Sequence, residues 1–196
     1  MAGLLSDLTR KLHFWARFLE DPWVRRARAL GVGVETYTRF QQPWLKQAGI
    51  HSVIDVGANT GQFARMIHDA LPEATIYAFE PLPDCFEALV RQMGGVKNFK
   101  AYNVALGSAE GTHTFYRNPF SLSSSFRPMT DLHRRNFPQT AGINAPLSIP
   151  VRPLDSFAAE LDLPDKLLIK LDVQGYEDEV LRGGGELIPR AHMVIV

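Results

Sequence analysis

The sequence predicts an α/β fold built on a doubly wound parallel sheet. Three observations carry that prediction. From residue 53 onward, short apolar runs alternate with amphipathic helical patterns, the order that builds β-α-β units with right-handed crossovers. The runs are apolar and rich in β-branched residues, as strands of a parallel sheet covered on both faces are. Several of them end in a polar side chain, Asp55 and Glu80 first among them, where open α/β sheets place their ligands.

Taken in chain order, residues 1–20 set Leu4, Leu5, Leu8, Leu12, Trp15 and Leu19 on one helical face, with Arg10, Lys11 and Arg17 largely off it. Such a face belongs either to a lid packed on its own domain, the commoner fate, or to a helix that meets a membrane surface or a partner. Pro22 interrupts the pattern, and a second helix is expected over 34–48, stopped by Gly49. The N-terminal helical segment is therefore 1–49 and the sheet domain 50–196. "SVIDVG" reads as the first core strand. "GQFARMIHDAL" follows as a helix with Phe63, Ile67, Ala70 and Leu71 on one face. "TIYAFE" is the second strand, "DCFEALVRQM" a helix closed by Gly94-Gly95, and "FKAYNVAL" a third strand. The stretch 111–157 differs. "GTHTFYRNP" reads as an outlying strand, the middle is rich in Ser, Pro, Asn and Arg, and "LSIPVRPLDSF" as another short strand. It is expected to be an insertion over one end of the sheet that carries specificity. "KLLIKLDVQG" is a fourth core strand, "YEDEVLRGGG" a short helix with a glycine stop, and "HMVIV" a fifth strand.

Bulk properties narrow the function. The 196 residues suit one domain, with 45% hydrophobic and 21% charged residues. Formal net charge is zero, so no basic field argues for nucleic acid and substrate charge must be met locally. Cys85 is the single cysteine; no internal disulfide is possible, which fits a reducing compartment. No apolar run reaches the about 18 residues of a membrane span, and "MAGLLSDLTRK" places charge where a signal peptide needs apolar residues. The expected location is the cytoplasm. The chain stops inside an apolar strand, "AHMVIV", whereas natural termini tend to be polar and frayed; a chain cut before its natural end is expected.

The turn Asp55-Val56-Gly57-Ala58-Asn59-Thr60-Gly61 lacks the G-x-G-x-x-G spacing that lets a backbone reach a pyrophosphate. The acid just before it disfavours phosphate and favours a cationic ligand. Glu80, at the second strand tip, is placed to accept both hydroxyls of a ribose. With Asn103 near the third strand's end and Asp172 near the fourth's, four polar groups from four strands converge on one rim. A ligand with a ribose, a positive charge and no phosphate follows, and S-adenosylmethionine has each. The competing reading makes Asp55 and Glu80 mere helix caps. Lys170 and Asp172 stand two apart in "LLIKLDV" and so share a direction. A charged pair inside a central parallel strand is costly unless paired or used. Asp172 is then a general base, or the group that orients a substrate hydroxyl, and Lys170 pairs with it or with Glu177. The competing reading is a structural ion pair. Glu177, Asp178 and Glu179 also lie where acids favour a helix's positive end.

These segments resemble, in order, the FkbM-type methyltransferases, a branch of the class I S-adenosylmethionine-dependent enzymes. "VIDVGANTGQF" resembles the family's cofactor loop and "AFEP" its ribose-binding acid. "NVALGSAEGTHTFY", "VRPLDSF" and "LIKLDVQGYEDEVLRGG" resemble its later blocks, so that the likeness covers about 53–196. The resemblance implies a Rossmann-like sheet whose last two strands would follow Val196, and methyl transfer to a hydroxyl of a sugar, glycolipid or secondary metabolite. By match, Asp55, Gly57, Asn59 and Gly61 form the cofactor loop, Glu80 holds the ribose, and Asn103 and Val104 lie near the adenine. Lys170, Asp172 and Glu177 line the reaction end. Gln174 departs from the Glu that many members carry, and Gln cannot act as a base. The chemistry requires no metal, and the histidines show no paired ligand spacing. In the insertion, Arg117, Arg127, His133, Arg134 and Arg135 with Ser121 and Ser123–Ser125 either grip an anionic sugar or form a solvated loop. Phe120, Phe126 and Phe137 stack on a sugar face or tether that loop. Two rivals remain, a nicotinamide-dependent oxidoreductase and a non-catalytic adenosine-binding module.

Overall fold

The computed structural model describes residues 21–117 and 145–196. The amphipathic pattern of 1–20 and the Arg, Ser and Phe cluster of the insertion lie outside these residues.

The described chain opens with helix α1, Pro22–Leu30. Asp21 accepts from the amides of Trp23 (2.8 Å) and Val24, and Gly31, at φ 71°, closes the far end. Pro22, expected from the sequence to interrupt the 1–20 pattern, opens a helix that the sequence reading does not expect, because a proline suits the first helical position. The single helix expected over 34–48 is two, α2 (Val34–Phe40) and α3 (Pro43–Gln47). Pro43 forces the break: the residue before a proline avoids helical backbone, and Gln42 sits at φ −71°, ψ 154°.

Strand β1 (Ser52–Val56), helix α4 (Gln62–Ala70), β2 (Thr75–Phe79), helix α5 (Pro83–Met93) and β3 (Phe99–Tyr102) then alternate as expected. The third strand, read as running through "FKAYNVAL", stops at Tyr102. Asn103 Nδ2 donates to the carbonyls of Glu80 (2.8 Å) and Pro81 (3.0 Å), and this bond turns the chain out of the sheet. The next piece, β4 (Ala105–Leu106), joins β5 (Gly111–Arg117) and β6 (Ala145–Arg152) in a second sheet of order β4-β6-β5. A 3-10 turn, Leu154–Phe157, leads to β7 (Leu167–Leu171), helix α6 (Glu177–Gly183) and β8 (Ala191–Ile195).

The main sheet has order β3-β2-β1-β7-β8, and its pairs are parallel. The chain winds outward through β2 and β3, then returns to the other side of β1. Strand order thus reverses between β1 and β7, the place where such sheets bind ligands. Both faces are covered, and all five β1 residues are buried. One apolar cluster joins Val53, Ile76 and Leu168 to α1, α2, α4 and α5. The other joins Ile54, Phe79 and Leu171 to Val180 of α6 and Phe157.

Candidate functional site

A cavity of about 250 Å³ lies beyond the carboxyl ends of β1, β2 and β7. Gly57 explains how the strand tips come so close. At φ +75° it occupies backbone that side chains rarely adopt, and a Cβ there would stand 2.1 Å from the Asp172 carbonyl oxygen. Gly61, at φ +90°, opens α4 where a Cβ would meet Leu89 at 2.9 Å. The turn therefore presses onto β7 on one side and onto α5 on the other.

Of the site residues singled out in the sequence, Gly57, Asn59, Glu80, Val104, Lys170, Asp172 and Gln174 border this cavity. Asp55, Gly61, Asn103 and Glu177 are not part of its lining and act behind it. Asp55 is fully buried, and Lys170 Nζ meets its carboxylate at 3.0 Å. Burial pushes the Asp55 carboxyl up, and the Lys170 charge offsets part of that. Among the described residues neither Asp55 oxygen accepts a further hydrogen bond. Lys170 Nζ also donates to Gly57 O (2.9 Å) and lies 3.7 Å from Asp172 Oδ2. Its main partner is thus Asp55, not the Asp172 or Glu177 expected from the sequence. Asp55 and Lys170 occupy facing register positions on adjacent strands, a pairing that strand order alone reveals. Among the described residues, the acids that border the cavity are Glu80 and Asp172.

Glu80 is 5% exposed. It accepts from Asn59 N (2.8 Å) and Leu82 N (2.9 Å), one amide on each oxygen. A carboxylate has about four acceptor positions, so two are left. Burial pushes this carboxyl up to about 7, against the pull of the two amides. Asp172 is more exposed. Gln174 Nε2 donates to its Oδ1 at 2.7 Å, and Gln174 itself sits at φ 55°. Glu177 accepts from Val173 N (3.0 Å) and Gly175 N (2.9 Å). It braces the 172–177 turn rather than lining the cavity.

The sequence reading missed several wall residues. The helical pattern gives Phe63 only a core face, yet it and Met66 border the cavity, as do Leu82 and Phe115. Phe115 is the buried residue of 111–115 on β5, and no alternation in GTHTFYR marks it beforehand. Among the described residues no group of three His, Cys, Asp or Glu side chains is arranged to hold a metal ion, and no described helix is long and apolar enough to cross a membrane.

Residues 55–196 match the family described as the methyltransferase FkbM domain. The chain is 28% identical over 199 residues to the 2-O-methyltransferase NoeI of Sinorhizobium fredii, covering 98% of this chain and 77% of that one. It is 27% identical over 146 residues to the hexuronic acid methyltransferase AglP of Haloferax volcanii, covering 72% of this chain and 53% of the relative. Among solved structures, it overlaps a precorrin-6y C5,15-methyltransferase from Geobacter metallireducens with TM-score 0.37 and 12% identity. That overlap takes in 72% of this chain and 48% of that one.

Proposed function

This chain belongs to the FkbM family of S-adenosylmethionine-dependent methyltransferases, and on that premise we propose that it moves a methyl group to a hydroxyl of a sugar, glycolipid or secondary metabolite. One observation carries the donor reading. Glu80 is a buried carboxylate that borders the cavity at the strand-order switch point, with two acceptor positions unused by the amides of Asn59 and Leu82. Two adjacent ribose hydroxyls match that demand, and Val104 and Leu82 offer an apolar wall for a purine. The residues present therefore fit the donor.

When bound, S-adenosylmethionine supplies a methyl group already activated on a positively charged sulfur. The chain's task is to align an acceptor oxygen with that carbon, exclude water and handle one proton. Asp172 is the group assigned to the acceptor hydroxyl. Gln174 donates to its Oδ1, and the Lys170 ammonium stands 3.7 Å from its Oδ2, which leaves a lone pair of Oδ2 to meet the hydroxyl. Lys170 acts through Asp55, Gly57 and Asp172 as a strut between β1 and β7, and Glu177 holds the turn that carries Gln174. Asp55, Gly61 and Asn103 support the donor loop and Glu80 from behind. A uronic-acid acceptor is favoured by the likeness to the hexuronic acid methyltransferase AglP, and transfer to oxygen by the likeness to the 2-O-methyltransferase NoeI; the cytoplasmic location expected from the sequence is part of the same proposal.

Methyl transfer from radiolabelled S-adenosylmethionine to glucuronic acid and glucose methyl glycosides tests this reading. Wild type labels an acceptor, and Asp172→Ala binds the donor yet labels none. Equal labelling by both proteins would remove Asp172 from the reaction.

A further inference from the structure

We infer that the helical segment ahead of the family-matched region completes the donor pocket: the α1–α2 turn and Thr36 wall the half that takes the donor's amino-acid end. The inference rests on the donor reading above.

Gly31, Val32 and Thr36 border the cavity alongside Gln62 and Phe63 of α4. All three precede residue 55, where the family match begins. Their side of the cavity is set by contacts. A Cβ at Gly31 would stand 3.8 Å from Gln62 Cγ, so the turn rests on the first residue of α4. The next residue, Phe63, has its ring centroid 5.6 Å from Lys170 Nζ on β7. The α1–α2 turn, the start of α4 and β7 therefore share one half of the cavity. Glu80 follows β2, which lies on the other side of β1 from β7, and the Gly57 turn follows β1 between them. A ligand whose ribose sits on Glu80 crosses that turn, and its far end meets the α1–α2 wall. The Thr36 hydroxyl and the Gln62 amide supply both donors and acceptors there, which an ammonium and a carboxylate require.

The wall is fixed rather than loose. Arg65 Nη2 donates to Leu30 O at 2.9 Å, and Arg65 Nε to Gly61 O at 3.2 Å. One guanidinium thus ties the last turn of α1, where carbonyls lack helical partners, to the glycine that opens α4. Arg26 grips Asp69 through two bonds of 2.6 and 2.7 Å, and Tyr37 OH reaches the same carboxylate. Beneath these clasps Ala27, Leu30 and Tyr37 are buried in one apolar cluster with Ala64 and Ile67.

Calorimetric titration with S-adenosylhomocysteine and with adenosine separates the two halves of the pocket. Thr36→Trp fills the wall at an exposed position and should leave the thermal midpoint unchanged. It should weaken S-adenosylhomocysteine by about tenfold or more while adenosine stays within about twofold. Arg65→Met should show the same split more weakly. Thr36→Trp with wild-type affinity for S-adenosylhomocysteine, or with both ligands weakened alike, overturns the inference. A wild type that binds neither ligand sinks the donor reading itself, and this inference with it.

Discussion

Asp55 and Lys170 face each other across the β1–β7 pairing, and their charged atoms meet 3.0 Å apart behind the cavity wall. The pair joins the two strands between which the sheet reverses, and the Lys170 ammonium carries on to the Gly57 carbonyl. Removing one partner leaves a buried charge without its counter-ion, which is far costlier than removing both. Lys170→Met should destabilise the fold by about 3–5 kcal/mol, read by urea denaturation. The double variant Asp55→Leu with Lys170→Met should recover most of that loss. A double variant as unstable as the single one would show that the pair is not the cause.

Glu80 makes donor binding depend on pH. Ribose hydroxyls donate to its ionised form, and burial holds its carboxyl near 7 in the free protein. Affinity for S-adenosylhomocysteine should therefore rise about tenfold from pH 6 to pH 8 and level off above. Stability of the free protein runs the other way. The folded-state value lies above the ordinary one, so Glu80's contribution is full below about 4.5 and is lost as pH rises through about 7. Glu80→Gln should flatten both profiles, which titration calorimetry and thermal unfolding across pH can follow.

Gly57→Ala puts a methyl group 2.1 Å from the Asp172 carbonyl, on backbone with positive φ. The turn or the β7 tip must move. A loss on the order of 2 kcal/mol or more in stability is expected, together with loss of donor binding. Wild-type binding by this variant would mean that the turn is not pressed against β7 as described.

Asp172→Asn keeps the shape of the group but removes its charge and its ability to take a proton. Donor affinity should stay within about twofold, and methyl transfer should fall about 10²–10⁴-fold, the range for a lost acid–base group. A rate within about threefold of wild type would leave Asp172 without a role in proton handling.

Much of this architecture was legible because its signals are local. Gly57, Asn59, Glu80 and Asp172 each sit where one apolar run meets one turn, and a short window of sequence contains the whole pattern. What escaped depends on residues far apart in the chain. The Asp55–Lys170 pair exists only once β1 and β7 are known to be neighbours. The break after Tyr102 depends on Asn103 bonding to carbonyls of Glu80 and Pro81. Thr36 and Val32 reach the cavity because Arg65 and Asp69 dock α1 and α2 on α4. The start of α1 is a local signal that the reading passes over: Asp21-Pro22 is a capped helix entrance, and Gly31 its exit.

The central claim is that Glu80 and the turn before α4 receive the ribose of a sulfonium nucleoside. Calorimetric titration of S-adenosylmethionine into wild type and Glu80→Ala tests it most directly. One site per chain in the wild type, weakened by about 1–3 kcal/mol in the variant, is the predicted result. No heat of binding in the wild type, or equal affinity in the two proteins, contradicts it.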